Sequence, residues 1–445
     1  MMARAMAVGK RAAAVKVNAV ADWTVLVYLA GDNNLDGAGL VDLMEMKRVG
    51  SSDRLHVLAQ FDRAGARQTT RRYRLSRGTE LAADALEDLG ETNTGDPKVL
   101  REFLSWGVRA YPARHYLVVL WNHGSGWDDS NLYAAHGDYF SGEAPPIAHK
   151  GVAVGAAGKG RAIPLAQARS AVRRAHRALF STTVKRMVSS RAIAFDDQAK
   201  DFLDNIEMKA ALRDIRRLIG RKIDILGFDA CLMSMLEVAY QVKGSAAYTV
   251  GSQEEEPNNG WPYDRVLKSL AADPAMSPAQ LSRTIVRHYL ASYGPNAGVT
   301  FSATDLGRVD ALATAVDGLG KGLTAALSDA QARRVLSLVR GRVQEYSAPY
   351  DDYIDLVDLC DGLAKLMQRS DVAAACKTVK AAVAAMVLDS GAKGAKLARS
   401  HGSSIYFPKK QVCRLYATLD FAKSSAWAKF INAYVASLAA RGWDY

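Results

Sequence analysis

Apolar and polar positions alternate along this chain in blocks of two kinds. Thr24-Val-Leu-Val-Tyr-Leu-Ala30 is an unbroken apolar run closed by the turn cluster Gly31-Asp-Asn-Asn34, the pattern of a strand buried on both faces. Helix-spaced apolar positions follow at Leu40, Leu43, Met44 and Met46. Leu55–Phe61 predicts a second strand and Arg71–Leu75 an edge strand, while Asp96-Pro97 caps and opens a helix through Phe103, Leu104 and Val108. Tyr116–Trp121, Ile223–Asp229, Ala247–Ser252 and Gly298–Ala303 predict further strands, with a helix near 202–219. This rhythm predicts an α/β fold, a mostly parallel central sheet covered by helices on both faces. From about 305 the period turns helical, over 308–326, 329–345, 351–369 and 371–389. A late strand is expected at Ser403–Pro408 and a last helix over Trp427–Leu438.

Composition divides the chain further. Residues 1–21 read as a basic flexible tail, 22–305 as the α/β core and 306–445 as a helical C-terminal subdomain. The core is interrupted at 130–190 by a basic segment rich in Gly and Pro, read as a flexible insertion. Net charge is +12, which invites a nucleic-acid reading. Segments 1–20 and 150–191 hold fourteen basic residues and no acidic ones, so the remainder of the chain stands at −2. The excess therefore lies in a tail and an insertion, and nucleic acid is not expected as a partner. No apolar run reaches the roughly 18–20 residues that a membrane span needs. The first residues form no signal-peptide core, so the expectation is cytoplasmic, with export open if the true start differs. The four cysteines, Cys231, Cys360, Cys376 and Cys413, include no Cys-x-x-Cys pair and make neither a disulfide framework nor a zinc site.

The chemistry concentrates where two strands end. Ile223-Asp-Ile-Leu-Gly-Phe-Asp-Ala-Cys231 places a cysteine at the carboxyl end of one strand and the start of a helical run, where the helix dipole favours a thiolate. Tyr116-Leu-Val-Val-Leu-Trp-Asn-His123-Gly-Ser-Gly-Trp127 places a histidine at the end of another. Ligands of open α/β sheets bind at such ends, and a nucleophile and a base there are the parts of a cysteine-nucleophile enzyme. Taken singly, Cys231 reads as a small core residue and His123 as a turn or core residue; it is their flanking sequences and their pairing that point to chemistry.

The paired motifs Leu120-Trp-Asn-His123-Gly-Ser-Gly-Trp127 and Gly227-Phe-Asp-Ala-Cys231-Leu-Met-Ser234 resemble those of the clostripain-type cysteine peptidases, in the caspase-like clan. Tyr28-Leu-Ala-Gly-Asp-Asn-Asn-Leu35, Gly251–Trp261 and Ser404-Ile-Tyr-Phe-Pro408 are similar in the same order, so the resemblance spans about 22–440. It implies a caspase-like three-layer αβα sandwich and endopeptidase activity on proteins or peptides, after Arg or Lys. Cys231 would be the nucleophile and His123 the acid and base, with the Gly124 and Cys231 amides as the oxyanion hole and no third member named. Asp229 is implied as the carboxylate that meets the basic side chain; the alternative is that it ties the loop to backbone amides. Ser252 and Glu254 are further substrate-binding candidates, although Glu254, Glu255 and Glu256 also read as solvated charges. Thr249–Ser252 is a candidate edge for pairing with an extended substrate backbone.

The resemblance also implies a zymogen that cuts itself between the two motifs, leaving two chains associated. The interval from His123 to Cys231 is long for the family, and the insertion supplies the candidate cut sites Lys150, Lys159, Arg161, Lys185, Arg186 and Arg191. Calcium matters for some members, but the acidic run Asp351, Asp352, Asp355 and Asp358 reads as a solvated helix face, so no metal or cofactor is assigned. A caspase-like scaffold without activity is the rival reading, against which stands the presence of both His123 and Cys231.

Overall fold

The computed structural model describes residues 20–65, 67–127, 193–196, 201–348 and 352–439. Residues 1–19 of the tail and the whole insertion, with all six candidate cut sites, lie outside the described residues, while Ala21 already belongs to the first strand. The strands are β1 (Ala21–Gly31), β2 (Leu55–Arg63), β3 (Arg71–Arg74), β4 (Ala85–Asp88), β5 (Ala113–Trp121), β6 (Ile193–Asp196), β7 (Asp201–Leu203), β8 (Ile223–Asp229), β9 (Ala246–Gly251), β10 (Val299–Asp305), β11 (Glu345–Tyr346), β12 (Tyr353–Asp355), β13 (Val387–Lys393) and β14 (Ser404–Tyr406). Nine of them form one sheet in the order β13-β10-β9-β8-β5-β1-β2-β3-β4. The five central strands, β9, β8, β5, β1 and β2, run parallel, and antiparallel pairs extend the sheet on both sides.

Both faces of the central strands are buried, and successive side chains feed opposite cores. Leu26, Tyr28, Val118, Leu120, Leu226 and Phe228 enter one cluster with helices Pro97–Ala110 and Asn205–Ile219. Val25, Val27, Leu117, Val119 and Ile225 enter the other with helices Tyr263–Ala272 and Pro278–Ser292. The result is the expected three-layer sandwich. Local signals start its helices: Asp96 caps the first, and Asp204 with Glu207 and Ser277 with Gln280 make capping boxes.

The C-terminal part is helical as expected, but it does not stand apart. Its strand β13 pairs antiparallel with β10 and so completes the central sheet, and its helices pack into the first core cluster. The boundary at 305/306 divides the chain and not the hydrophobic core. β13 (Val-Leu-Asp-Ser-Gly-Ala-Lys) lies where the helical period was read on to 389; as an edge strand it needs little apolar sequence. β4, not β3, is the opposite edge.

Of the acidic run, Asp351 lies outside the described residues, and Asp352, Asp355 and Asp358 are not a solvated helix face. Asp355 is buried at the end of β12, where it caps helix Leu356–Leu366 by accepting from the Val357 and Asp358 amides. Asp352 pairs with the buried Arg340 at 2.9 Å. β11, β12 and β14 form a small sheet, joined to the core where β14 bridges Met235 and where Tyr353 Oη donates to Ser125 O at 2.7 Å. Among the described residues no helix is long and apolar enough to cross a membrane.

Candidate active site

β5 and β8 are adjacent parallel strands, in register at Trp121 and Asp229. His123 and Cys231 each stand two residues beyond that pair, so the register itself brings the two strand ends together. The Asn122 amide extends the contact by donating to Asp229 O at 3.3 Å. Gly124 then lies directly on the cysteine backbone: a Cβ there would sit 2.4 Å from Cys231 O and 2.8 Å from Cys231 N. Only glycine tolerates that approach, which lays the Gly124 backbone against that of Cys231. Both His123 and Cys231 are buried.

The residue after the cysteine is strained. Leu232 has φ 65°, a left-handed conformation that costs a non-glycine residue about 1 kcal/mol or more. The segment 252–256 holds it there. Ser234 N donates to Ser252 O at 2.8 Å, Leu232 N to Glu254 O at 3.3 Å, and Glu256 N to the Cys231 sulfur at 3.2 Å. The last of these directs a backbone N–H at the sulfur, which also lies 4.0 Å from Glu256 O.

Segment 252–256 is in turn fixed by its own side chains. The Ser252 hydroxyl donates to Glu254 O at 2.7 Å and lies 3.0 Å from Thr300 Oγ1, and the residue is fully buried. The Glu254 carboxylate accepts from the Glu255 amide at 2.9 Å and the Ser347 amide at 3.0 Å, while burial pushes it up to about 7. Ser252 and Glu254 thus spend their side chains on the loop. Gln253 donates to Asp355 at 3.1 Å and accepts from the Gly402 amide at 2.8 Å. Neither Glu254 nor Glu256 is a solvated charge, and Glu256 is fully buried. Nor is 249–251 an open edge for substrate: β9 is paired with β8 on one side and β10 on the other.

Asp229 is fully buried. One of its oxygens accepts from Tyr263 Oη at 3.0 Å and Trp261 N at 3.4 Å, and Gly260, at φ 50°, passes so close that a Cβ would lie 2.9 Å from the carboxylate. Both readings of Asp229 therefore have a foothold, since it binds a loop amide and also anchors a cluster. Burial first, then the charges of Asp229, Asp42 and Glu256, push the Tyr263 phenol well above its usual range. Three buried carboxyl side chains thus lie within electrostatic reach of the Tyr263 hydroxyl. Asp42, which also accepts from Trp121 Nε1 at 2.7 Å, reads in sequence as one polar position of an amphipathic helix, and no local signal marks it. Asn34, in the turn cluster after β1, has its Oδ1 2.8 Å from His123 Nε2, a partner that the turn itself does not reveal.

With this geometry in place, comparison with known proteins is decisive for the family. The sequence pattern of the clostripain family of C11 peptidases matches residues 27–139 and 178–434. The chain belongs to the clostripain family. Clostripain of Hathewaya histolytica is 24% identical over 415 residues, covering 77% of this chain and 65% of clostripain, so the chain spans just under two thirds of that relative. Among solved structures, an inactive zymogen C11 protease from Parabacteroides distasonis aligns over 92% of this chain and 99% of its own, with 20% identity and a TM-score of 0.61. A secreted C11 cysteine protease from Bacteroides thetaiotaomicron, solved with an irreversible peptide inhibitor, aligns over 92% and 99% with 20% identity and a TM-score of 0.60. The family fold is therefore shared along almost the whole chain.

Proposed function

We propose that this clostripain-family chain is a cysteine endopeptidase that cleaves after Arg or Lys and is activated by cutting itself between its two motifs. In this reading the Cys231 thiolate attacks the scissile carbonyl. The Gly124 and Cys231 amides receive the oxyanion, and His123 protonates the leaving amine. Water then releases the acyl group with His123 as base. The observation that supports the specificity is the fully buried Asp229 side chain two residues before Cys231, bonded to Tyr263 Oη at 3.0 Å. A buried carboxylate so close in sequence to the nucleophile favours a Lys or Arg side chain, whose charge it would neutralise out of water.

Self-activation is supported by the burial of Cys231 and His123 and by the Arg- and Lys-rich insertion between the motifs. A cut there leaves β5 on one fragment and β8 on the other. These are adjacent inner strands of one sheet, so the two fragments would stay together. No cofactor is needed for these steps, and no nucleic acid or membrane partner is proposed.

The test compares fluorogenic peptides ending in Arg, Lys, Gln and Glu, together with the intact mass of wild type and Cys231→Ala. Turnover confined to Arg and Lys, with fragments from wild type only, is expected. Equal fragments from both proteins would rule out self-cleavage, and equal turnover of the Gln and Glu peptides would rule out the acidic specificity site.

A further inference from the structure

Three adjacent parallel strands, β1, β5 and β8, end at the site, and three of its polar side chains come one from just beyond each strand. Two are Cys231 and His123. The third is Asn34, three residues beyond β1, with Oδ1 at 2.8 Å from His123 Nε2. We infer that Asn34 is a positioning residue for His123, completing a Cys231–His123–Asn34 line; this rests on the peptidase reading proposed above.

An amide oxygen only accepts, so this bond requires the proton of His123 to reside on Nε2. Nδ1 is then the nitrogen that exchanges protons with the thiol and the leaving amine. Without that bond the imidazole is equally able to hold its proton on Nδ1, the tautomer that has no lone pair where the thiol proton must go. The bond also survives protonation of the ring, because Nε2 keeps its hydrogen in both states. Asn34 would therefore orient His123 through the whole cycle without itself gaining or losing a proton.

The neighbouring residue shows that Asn34 is not needed to shape its loop. Asn33 does that work: its side chain donates to Ala30 O at 3.0 Å and to Asn122 Oδ1 at 3.2 Å, and its Oδ1 accepts from the Leu35 amide at 2.8 Å. Asn33 is buried and Asn34 is exposed. An exposed side chain turned onto a buried imidazole from a loop that its neighbour already fixes is placed for the histidine, not for the fold.

The experiment uses Asn34→Ala and Asn34→Asp in the full chain, followed by peptide turnover and by alkylation of Cys231 across pH with iodoacetate, an anion that reacts fastest while an imidazolium stands beside the thiolate. Asn34→Ala is expected to lower kcat about 10- to 100-fold with KM nearly unchanged, the scale of a misplaced catalytic group. Asn34→Asp places a carboxylate on Nε2–H and favours the imidazolium, so the alkaline limb of both profiles is expected to move up by about one pH unit or more. Wild-type kcat in Asn34→Ala, or an unmoved alkaline limb in Asn34→Asp, would overturn the inference. Should Asn34→Ala fail to fold, the alkaline limb of Asn34→Asp alone decides. The alkylation profile reads the Cys231–His123 pair without peptide hydrolysis, so an inactive wild type would count against the peptidase reading and leave this test standing.

Discussion

Gln253 reaches from the segment that holds Cys231 to the C-terminal part of the chain, donating its amide to Asp355 at 3.1 Å while its oxygen accepts from the Gly402 amide at 2.8 Å. Asp355 is a hub: it also accepts from Tyr346 Oη at 3.1 Å and from His401 Nδ1 at 2.9 Å. Through Gln253 the C-terminal part sets the strip whose Glu256 amide meets the cysteine sulfur. Gln253→Leu keeps the volume and removes both bonds. It should cost about 1–3 kcal/mol of stability, from buried polar groups left unpaired, and lower kcat/KM about tenfold or more through the displaced thiol. Urea unfolding and peptide turnover check this; unchanged turnover would mean that the C-terminal part does not steer the nucleophile.

Asp229→Asn tests the acidic cluster. The amide oxygen can still accept from Tyr263 and Trp261, so the protein should fold, but the negative charge is gone. The expected loss of kcat/KM on Arg and Lys peptides is about 10²- to 10³-fold, within the 2–5 kcal/mol or so that removing one partner of a buried charge pair costs. A norleucine peptide should be spared. Equal losses on both peptides would make Asp229 a loop anchor only.

Gly124→Ala addresses the oxyanion hole. The added methyl meets the Cys231 backbone at 2.4 Å and must displace it. Overpacking of this kind costs about 1–3 kcal/mol, and a lost oxyanion donor about 10²- to 10³-fold in kcat. Turnover and thermal unfolding measured together separate the two effects, and full activity would place the hole elsewhere.

Stability should fall as pH rises through neutrality. Burial pushes the Glu237 carboxyl from its ordinary 4.5 up to about 7, where it accepts from Tyr406 N at 3.1 Å and Tyr416 Oη at 2.9 Å. The folded chain keeps this proton when the unfolded chain has released it. The stabilisation is therefore complete below about pH 4.5 and lost as pH passes 7, on the order of 3 kcal/mol. Glu254 is shifted in the same direction. In a Cys231→Ala background, Glu237→Gln should flatten urea-unfolding stability between pH 5 and 8; an unaltered slope would contradict this.

The inner strands and the two strand-end motifs could be read from the sequence because they are local patterns. β1, β5 and β8 are continuous apolar runs, and each motif begins where its run stops. What escaped the sequence depends on distant partners. Asp42 looks like one more polar position on a helix until Tyr263 is brought near it, and Asp355 looks solvated until Gln253, Tyr346 and His401 converge on it. β13 carries too little apolar sequence to be seen before β10 offers an edge. Ser252 and Glu254 lie in the right loop, but which way they face depends on Thr300 and Ser347, far along the chain.

The central claim is that Cys231 attacks peptides presented by a basic side chain. It is tested most directly by exposing the full chain, before and after tryptic nicking of the insertion, to two peptidyl electrophiles that differ only in ending with Arg or Glu, and mapping the adduct by mass spectrometry. The account predicts one adduct, on Cys231, from the Arg reagent alone. An adduct at Cys360, Cys376 or Cys413, equal labelling by the Glu reagent, or no labelling even after nicking would contradict it.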